Sequence, residues 1–138
     1  MSLHYPKPHH NHAAEYQCSG IPYVTSSNGA DSLGVAPLKV NFPYVTRWVQ
    51  VFNLDAAGQQ DLRVGFTENG VNGNPADNAH YLIVPAGSSS PRLEIKCKEI
   101  YLRSDSGTTS FSLAAGLTNV SKSQFPTLTG SDGVGGVG

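Results

Sequence analysis

A series of short apolar segments between Asp61 and Leu117 constrains the fold of this chain most. The segments read LRVGF, YLIV, LEIKC and LAAGL, and loops rich in Gly, Asn, Ser or Pro separate them. Short apolar segments divided in this way are typical of the strands of an antiparallel β-sandwich. No segment keeps apolar residues at the spacing of an α-helix over three turns, so no helix is predicted.

The same pattern predicts eight strands in an all-β domain. They span Ile21–Thr25, Leu33–Val35, Leu38–Phe42, Thr46–Leu54, Asp61–Thr67, His80–Pro85, Arg92–Arg103 and Ser110–Leu117. The strand at 46–54 carries apolar residues on both faces, so we predict a central strand that is covered on both sides. In the strand at 92–103 the apolar phase shifts after Cys97, which predicts a β-bulge near Lys98 or two strands joined by a bend.

The length of 138 residues suits one domain with a sizeable core. Residues 1–20 are predicted to form a polar, histidine-rich N-terminal arm, and residues 21–120 the sandwich. Residues 121–138 form a glycine-rich C-terminal tail that cannot pack a core of its own. The predicted core side chains are Trp48, Phe52, Val64, Phe66, Ile83, Leu93, Ile95 and Leu113.

The chain carries few charges. Charged residues make up 14% of the sequence, below the roughly 25% of typical soluble domains. Nine Lys and Arg nearly balance ten Asp and Glu, so no strongly basic face is available and nucleic-acid binding is not expected. Because little repulsion keeps copies apart, the low charge favours a subunit of an assembly.

The two cysteines, Cys18 and Cys97, are fewer than a disulfide-stapled secreted domain of this size carries. The N-terminus lacks the apolar segment of a signal peptide, and no run of 18 apolar residues predicts a membrane-spanning helix. We therefore expect synthesis in the cytoplasm with free thiols and without direct membrane insertion. A Cys18–Cys97 disulfide stays open as the alternative.

The longest predicted loop runs from Glu68 to Ala79, and twelve irregular residues are more than packing needs. Loops at the ends of sandwiches commonly carry contacts. The oxygen-bearing side chains match no calcium-binding loop. With Tyr81 or Trp48 as a stacking plate they would suit a sugar, although Trp48 is expected in the core. The candidate contact residues are Glu68, Asn69, Asn72, Asn74, Asp77 and Asn78.

The N-terminal arm contains four histidines. Zinc requires three or four ligands held in a tetrahedron, and the spacing here fits no structural zinc pattern, so no metal site is predicted. The alternatives are a purely polar arm and a contact that responds to pH, because imidazole changes charge between about pH 5 and 8. The candidate assembly-arm residues are His4, Tyr5, His9, His10 and His12.

The nearest approach to a catalytic triad is His80, Asp77 and a serine at 88–90. A nucleophile needs a base within hydrogen-bond reach and a third group that orients the base. The sequence has no Gly-x-Ser-x-Gly turn, and the three serines are typical of a turn before Pro91. We therefore predict no enzyme activity, no catalytic residue and no cofactor.

Three phrases of the sequence resemble a known protein group: FPYVTR at 42–47, RVGFTENGV at 63–71 and AGLT at 115–118. They are similar to the small single-jelly-roll capsid proteins of large icosahedral double-stranded DNA viruses, which form the penton at each fivefold vertex. The resemblance covers residues 40–120. It implies a single eight-stranded antiparallel jelly roll with extended N- and C-terminal arms. In such a fold each of two sheets buries one face.

The resemblance also implies a function. It predicts a structural virion protein whose five copies close a capsid vertex, in contact with the major capsid protein and minor capsid proteins. It transfers no functional side chain, because pentons work through whole surfaces. Two alternatives stay open: a receptor- or carbohydrate-binding sandwich with its ligand at the 68–79 loop, and a decoration or cement protein of a capsid.

Overall fold

Short β-strands dominate the computed structural model, which describes residues 8–17, 20–27, 32–73, 79–128 and 136–138. Within these residues no helix is long and apolar enough to cross a membrane. The strands are β1 (Ile21–Ser26), β2 (Leu38–Asn41), β3 (Tyr44–Asn53), β4 (Leu62–Gly65), β5 (Tyr81–Val84), β6 (Glu99–Ser104) and β7 (Phe111–Ser121). The helices are α1 (Ala13–Gln17), α2 (Glu68–Asn72) and a 3₁₀ turn at Lys122–Gln124.

The strands form two antiparallel sheets. The first has the order β1-β7-β3 and the second the order β2-β6-β4-β5. The connections after β1, β2, β3 and β6 each lead from one sheet to the other, whereas β4 and β5 are sequential neighbours in the second sheet. The described chain is therefore mostly β, as the sequence predicts, and the two sheets are interleaved along it.

An irregular eighth segment, residues 88–97, runs along the free edge of β3. Val49 N donates to Leu93 O at 2.9 Å, and Leu93 N donates back to Val49 O at 2.7 Å. A second bridge joins Phe52 to Ser89. The segment is not a continuous strand, in part because Pro91 lacks the N–H that a ladder requires.

The predicted strand Arg92–Arg103 is therefore divided in two. Residues 92–97 lie against β3 in the first sheet, Lys98 forms a bend, and β6 begins at Glu99 in the second sheet. Of the two alternatives that the phase shift left open, the bend is confirmed. The predicted strand Leu33–Val35 is wrong, because only Leu33 makes a bridge, to Thr109.

The pairings along the chain are nested. β1 pairs with β7, β2 pairs with β6, the 88–97 segment lies along β3, and β4 pairs with β5. The first strand thus meets the last, the second meets the last but one, and the chain turns back between β4 and β5. This is the pairing of one long hairpin folded over on itself.

The largest core cluster contains residues of both sheets, so the two sheets share one interior. Val64 and Leu113 are almost fully buried there, as predicted. Phe66 and Ile95 are partly buried and pack against the cluster. The fully buried large side chains are Phe42, Leu62, Ile100, Leu102, Leu113, Val45, Val49, Val51, Val64, Val71, Val84 and Val120.

The prediction that Ile83 is a core residue is wrong. Ile83 is 44% exposed and lies opposite Arg63 on the outer face of the second sheet. Its neighbour Val84 points inward instead. The YLIV segment is apolar throughout, so its pattern carries no alternation from which the inward phase can be read.

The first sheet presents Trp48 and Phe52 on its outer face, so both are wrong as predicted core residues. Val49 lies opposite Ala115 in the core, and Trp48 lies opposite Gly116 on the other side of the sheet. β3 has a neighbour on each edge, but its outer face is only half-buried. The prediction that both faces are covered is therefore wrong for the described chain.

A second, smaller cluster ties the N-terminal arm to the other end of the chain. Val45, Val120 and Phe125 are buried together, and Tyr16 and Leu128 pack against them. Part of the arm and part of the tail thus fold onto the β domain, beyond the boundaries that composition indicated at 20 and 121.

Candidate functional site

The predicted contact loop begins with a helical turn rather than with irregular chain. Thr67 caps α2, because its Oγ1 accepts a hydrogen bond from Gly70 N at 2.9 Å. Gly73 ends the helix in the left-handed conformation, at φ 67°, which glycine adopts without strain. A five-residue helix is too short to show a helical repeat, which explains why the sequence did not predict it. Asn74, Asp77 and Asn78 lie outside the described residues.

The described residues of this loop have different environments. Glu68 and Asn69 are exposed. Asn72, at the end of α2, is half-buried and reaches the outer face of the second sheet, where its Oδ1 accepts from Arg103 Nη1 at 2.8 Å. The loop is therefore joined to the sheet through Asn72.

Arg63 on β4 is held from several directions. Its Nε donates to Asp105 Oδ1 at 2.6 Å, and its guanidinium lies 4.3 Å from the centre of the Tyr81 ring. Its Nη1 donates to the carbonyl oxygens of Val71 and Asn72 at the C-terminal end of α2. A carboxylate, a ring face and helix carbonyls all favour a cation, so Arg63 is well neutralised.

Arg103 on β6 lies directly opposite Arg63 in the β4–β6 register. Besides its bond to Asn72, it donates only from Nε to the carbonyl of Ser104, at 3.0 Å, among the described residues. Burial, and next the nearby charge of Arg63, lower the pKa of the Arg103 guanidinium. Strand alternation predicts that both arginines face outward, but the sequence does not give the register that makes them neighbours.

The neighbouring part of this face contains an ion pair. Lys39 Nζ lies 2.9 Å from Glu99 Oε2, and the same amine lies 5.9 Å from the centre of the Tyr101 ring. The outer face of the second sheet thus carries cations and aromatic rings beside the exposed Ile83. We call Arg63, Arg103, Asn72 and Tyr81 the arginine pair site.

A cleft of about 280 Å³ opens beside this site, on the other side of β5. His80 Nδ1 is buried there without a hydrogen-bond partner among the described residues. The chain's C-terminus reaches the same region, where Thr67 Oγ1 donates to Val137 O. The lining residues are Val64, Phe66, Ala79, His80, Tyr81, Leu82 and Gly136.

The predicted assembly arm packs on its own chain over residues 8–17. His10 Nδ1 lies 2.8 Å from Gln124 O, and its ring meets Phe125 edge-on. Lys96 Nζ donates to His10 O at 3.1 Å. His9 stacks on His12, with 6.1 Å between ring centres.

Other contacts fix α1. Arg47 Nε donates to Tyr16 O at 2.6 Å, and Asn119 N donates to Glu15 Oε2 at 2.9 Å. No group of three or more His, Cys, Asp or Glu is placed to hold a metal ion in the part of the chain that the structure describes. His4 and Tyr5 lie outside that part.

Two serines of the 88–90 turn, which a catalytic triad would need, form hydrogen bonds with neighbouring residues. Ser90 is buried, and its Oγ accepts from Val51 N at 3.0 Å and donates to Pro91 O at 2.9 Å. Ser88 O accepts from Asn53 N. Asp77 lies outside the described residues. The Ser90 hydroxyl is therefore engaged in holding the 88–97 segment to β3.

Cys97 is a free, buried thiol. Its Sγ lies 3.3 Å from Thr46 Oγ1, and its backbone N donates to the same oxygen. Burial raises the pKa of the Cys97 thiol to about 11. The alternative of a Cys18–Cys97 disulfide is therefore not realised in this structure.

No protein-family model matches the sequence, and no similar chain is found among characterised proteins.

Proposed function

We propose that this chain is a structural virion protein, a penton subunit that forms a homopentamer and closes the fivefold vertices of an icosahedral double-stranded DNA virus capsid. The proposal starts from the three phrases that resemble penton proteins. The nested pairing of eight segments is the observation that carries it. Its outermost pair is β1 with β7 and its innermost is β4 with β5.

Nested pairing across two sheets is the topology of a jelly roll, whose eight strands fold as two Greek keys. Seven of the segments are regular strands, and residues 88–97 supply the eighth by their two bridges to β3. This order supports a single eight-stranded jelly roll. Because a fold hosts many functions, the case for assembly needs a surface argument as well.

The outer face of the first sheet supplies that argument. Nine outward residues of β1, β3 and β7 form a charge-free patch on it, in which Val24 is 76% exposed. Arg92 of the 88–97 segment borders this patch, with its guanidinium 5.9 Å from the centre of the Trp48 ring. A contiguous charge-free face of this kind is typical of the centre of a protein interface. A closed ring needs two different surfaces on each subunit, and this face would be one of them. The residues of the face are Pro22, Val24, Ser26, Trp48, Gln50, Phe52, Ser112, Ala114 and Gly116.

In this proposal the partners are further copies of the chain, the major capsid protein and the minor capsid proteins around the vertex. The site of action is the virion, after synthesis in the host cytoplasm. Neither nucleic acid nor a membrane takes part. In the ring, the termini would contact neighbouring copies. At the N-terminal side these contacts would come from residues 8–17, where the His10 ring packs against Phe125.

A receptor- or carbohydrate-binding module is the second candidate function. The arginine pair site favours it, because cations, an amide and aromatic rings converge beside the predicted contact loop. A capsid decoration protein would share the fold and the structural role. The penton and the binding module differ in oligomeric state, since a binding module needs no fivefold ring.

Sedimentation velocity on the purified chain and on Val24→Asp tests the proposal. We expect the unmodified chain to associate, and the variant to dissociate, because an aspartate on the charge-free face would be buried without a partner. Val35→Asp is the matched control, since Val35 is 50% exposed outside the strands of both sheets. Equal association of both variants would remove this face from the proposed interface.

A further inference from the structure

Two like charges face each other on the second sheet. Arg63 and Arg103 are directly opposite in the antiparallel pair of β4 and β6. Directly opposite residues have their Cβ atoms about 5 Å apart, and like charges in that position are destabilising. Both arginines are half-buried, and a nearby negative charge would offset their repulsion.

The two arginines are compensated unequally. Asp105 contacts Arg63 through an ion pair of 2.6 Å, and its side chain is 41% exposed. Arg103 has no carboxylate within ion-pair distance among the described residues, and its hydrogen bonds go to the neutral oxygens of Asn72 and Ser104. One guanidinium of the pair therefore has no ion pair, and the charge of Asp105 acts on it only from beyond ion-pair distance.

The neighbouring row does not supply the missing charge. Lys39 and Glu99 are paired with each other at 2.9 Å, so their charges cancel. Of Lys39, Arg63 and Arg103, only Arg103 has no ion pair among the described residues. The Tyr81 ring lies over the Arg63 guanidinium, with 4.3 Å between them.

We propose that the arginine pair site binds a carboxylate that belongs to a ligand or to a neighbouring protein. A guanidinium presents a planar fork of N–H donors that matches the two oxygens of a carboxylate. One such anion would neutralise Arg103 and relieve its repulsion from Arg63. For a sugar carboxylate the inference rests on the second candidate function, to which it gives a ligand class. For a carboxylate of a neighbouring copy it rests on association of the chain and does not depend on a fivefold ring.

The test is NMR of the arginine side chains in the full chain, titrated with sodium acetate at constant ionic strength against sodium chloride. We expect the Nε–Hε signals of Arg103 and Arg63 to move saturably. In Arg103→Gln the apparent acetate affinity should fall about tenfold or more, because a hydrogen bond to a charged group is lost. Lys39→Gln, which removes a paired cation on the same face, should leave the affinity within about twofold.

Two further arms identify the source of the carboxylate. If N-acetylneuraminate binds at least about tenfold more tightly than acetate, the site takes an acidic sugar. If acetate has no effect because a neighbouring copy already supplies the carboxylate, the Arg103 signals will be protected from exchange with water. Arg103→Gln will then lower the mass of the assembly.

Two results would overturn the inference. One is an Arg103 signal that neither moves with acetate nor is protected from exchange. The other is an Asp77→Asn variant that binds acetate far more tightly than the unmodified chain, since this would show that the chain's own carboxylate fills the site. Solution mass decides the pentamer separately, so the failure of one proposal is distinguishable from the failure of the other.

Discussion

At the scale of single residues, the structure uses its small and buried side chains to hold the first sheet together. Gly116 lies so close to Trp48 that a Cβ at position 116 would collide with the indole ring. The hydroxyl oxygens of Ser90 and Thr46 accept hydrogen bonds from backbone N–H groups of the paired segments. None of these roles follows from residue type alone, because each depends on which strands become neighbours.

Gly116→Ala should destabilise the fold, because the added methyl group displaces Trp48 from the outer face of the first sheet. We expect a loss of about 1–3 kcal/mol in the free energy of unfolding, as in other overpacked sites. Gly34→Ala is the matched control, since nothing lies within 4 Å of a Cβ there. Urea denaturation measures both, and equal effects would contradict the close contact.

Cys97 should make stability depend on pH at the alkaline end. Burial raises the pKa of this thiol to about 11 from 9.0, so between these values the unfolded chain loses a proton that the folded chain keeps. The thiol does not change the free energy of unfolding below about pH 9. From there to about pH 11 its contribution lowers the free energy of unfolding by up to about 1.4 kcal/mol per pH unit. Denaturation series from pH 7 to 11 should show this extra slope in the unmodified chain and not in Cys97→Ala; equal slopes would contradict it.

At the scale of elements, the periodicity of the apolar residues predicted most of the strands. It located strands close to β1 through β5 and β7, and it detected the phase change after Cys97 that separates two sheets. It did not predict α2, whose five residues span less than two helical turns. It also did not predict the inward phase of YLIV, where every residue is apolar. The arginine pair was hidden for another reason, because cross-strand register is a property of the folded sheet.

The strand phases make a direct prediction. Leu113 on β7 is buried, whereas Ile83 on β5 is 44% exposed. Leu113→Ala should cost about 2–5 kcal/mol of unfolding free energy, because it removes buried methyl groups and leaves a cavity. Ile83→Ala should cost less than about 1 kcal/mol, since its side chain is already in contact with water. Chemical denaturation of the two variants decides the phase, and a larger loss at Ile83 would reverse it.

At the scale of the whole molecule, the chain is a two-sheet β fold with a nested pairing and two unlike outer faces. The first sheet presents a charge-free patch bordered by Arg92, and the second presents cations and tyrosines. A molecule with two different exposed faces suits head-to-tail association, in which each copy uses one surface to meet the other surface of the next. In the proposed ring, the partner faces would be defined by the assembly, so one chain alone does not identify them.

Native mass spectrometry of the unmodified full chain tests the central claim, that this is the subunit of a closed fivefold ring. The account predicts a dominant species of five times the chain mass of 14.6 kDa, with no larger open series, because a closed ring leaves no unfilled surface. A monomer that persists at every concentration examined, or a trimer, would contradict it.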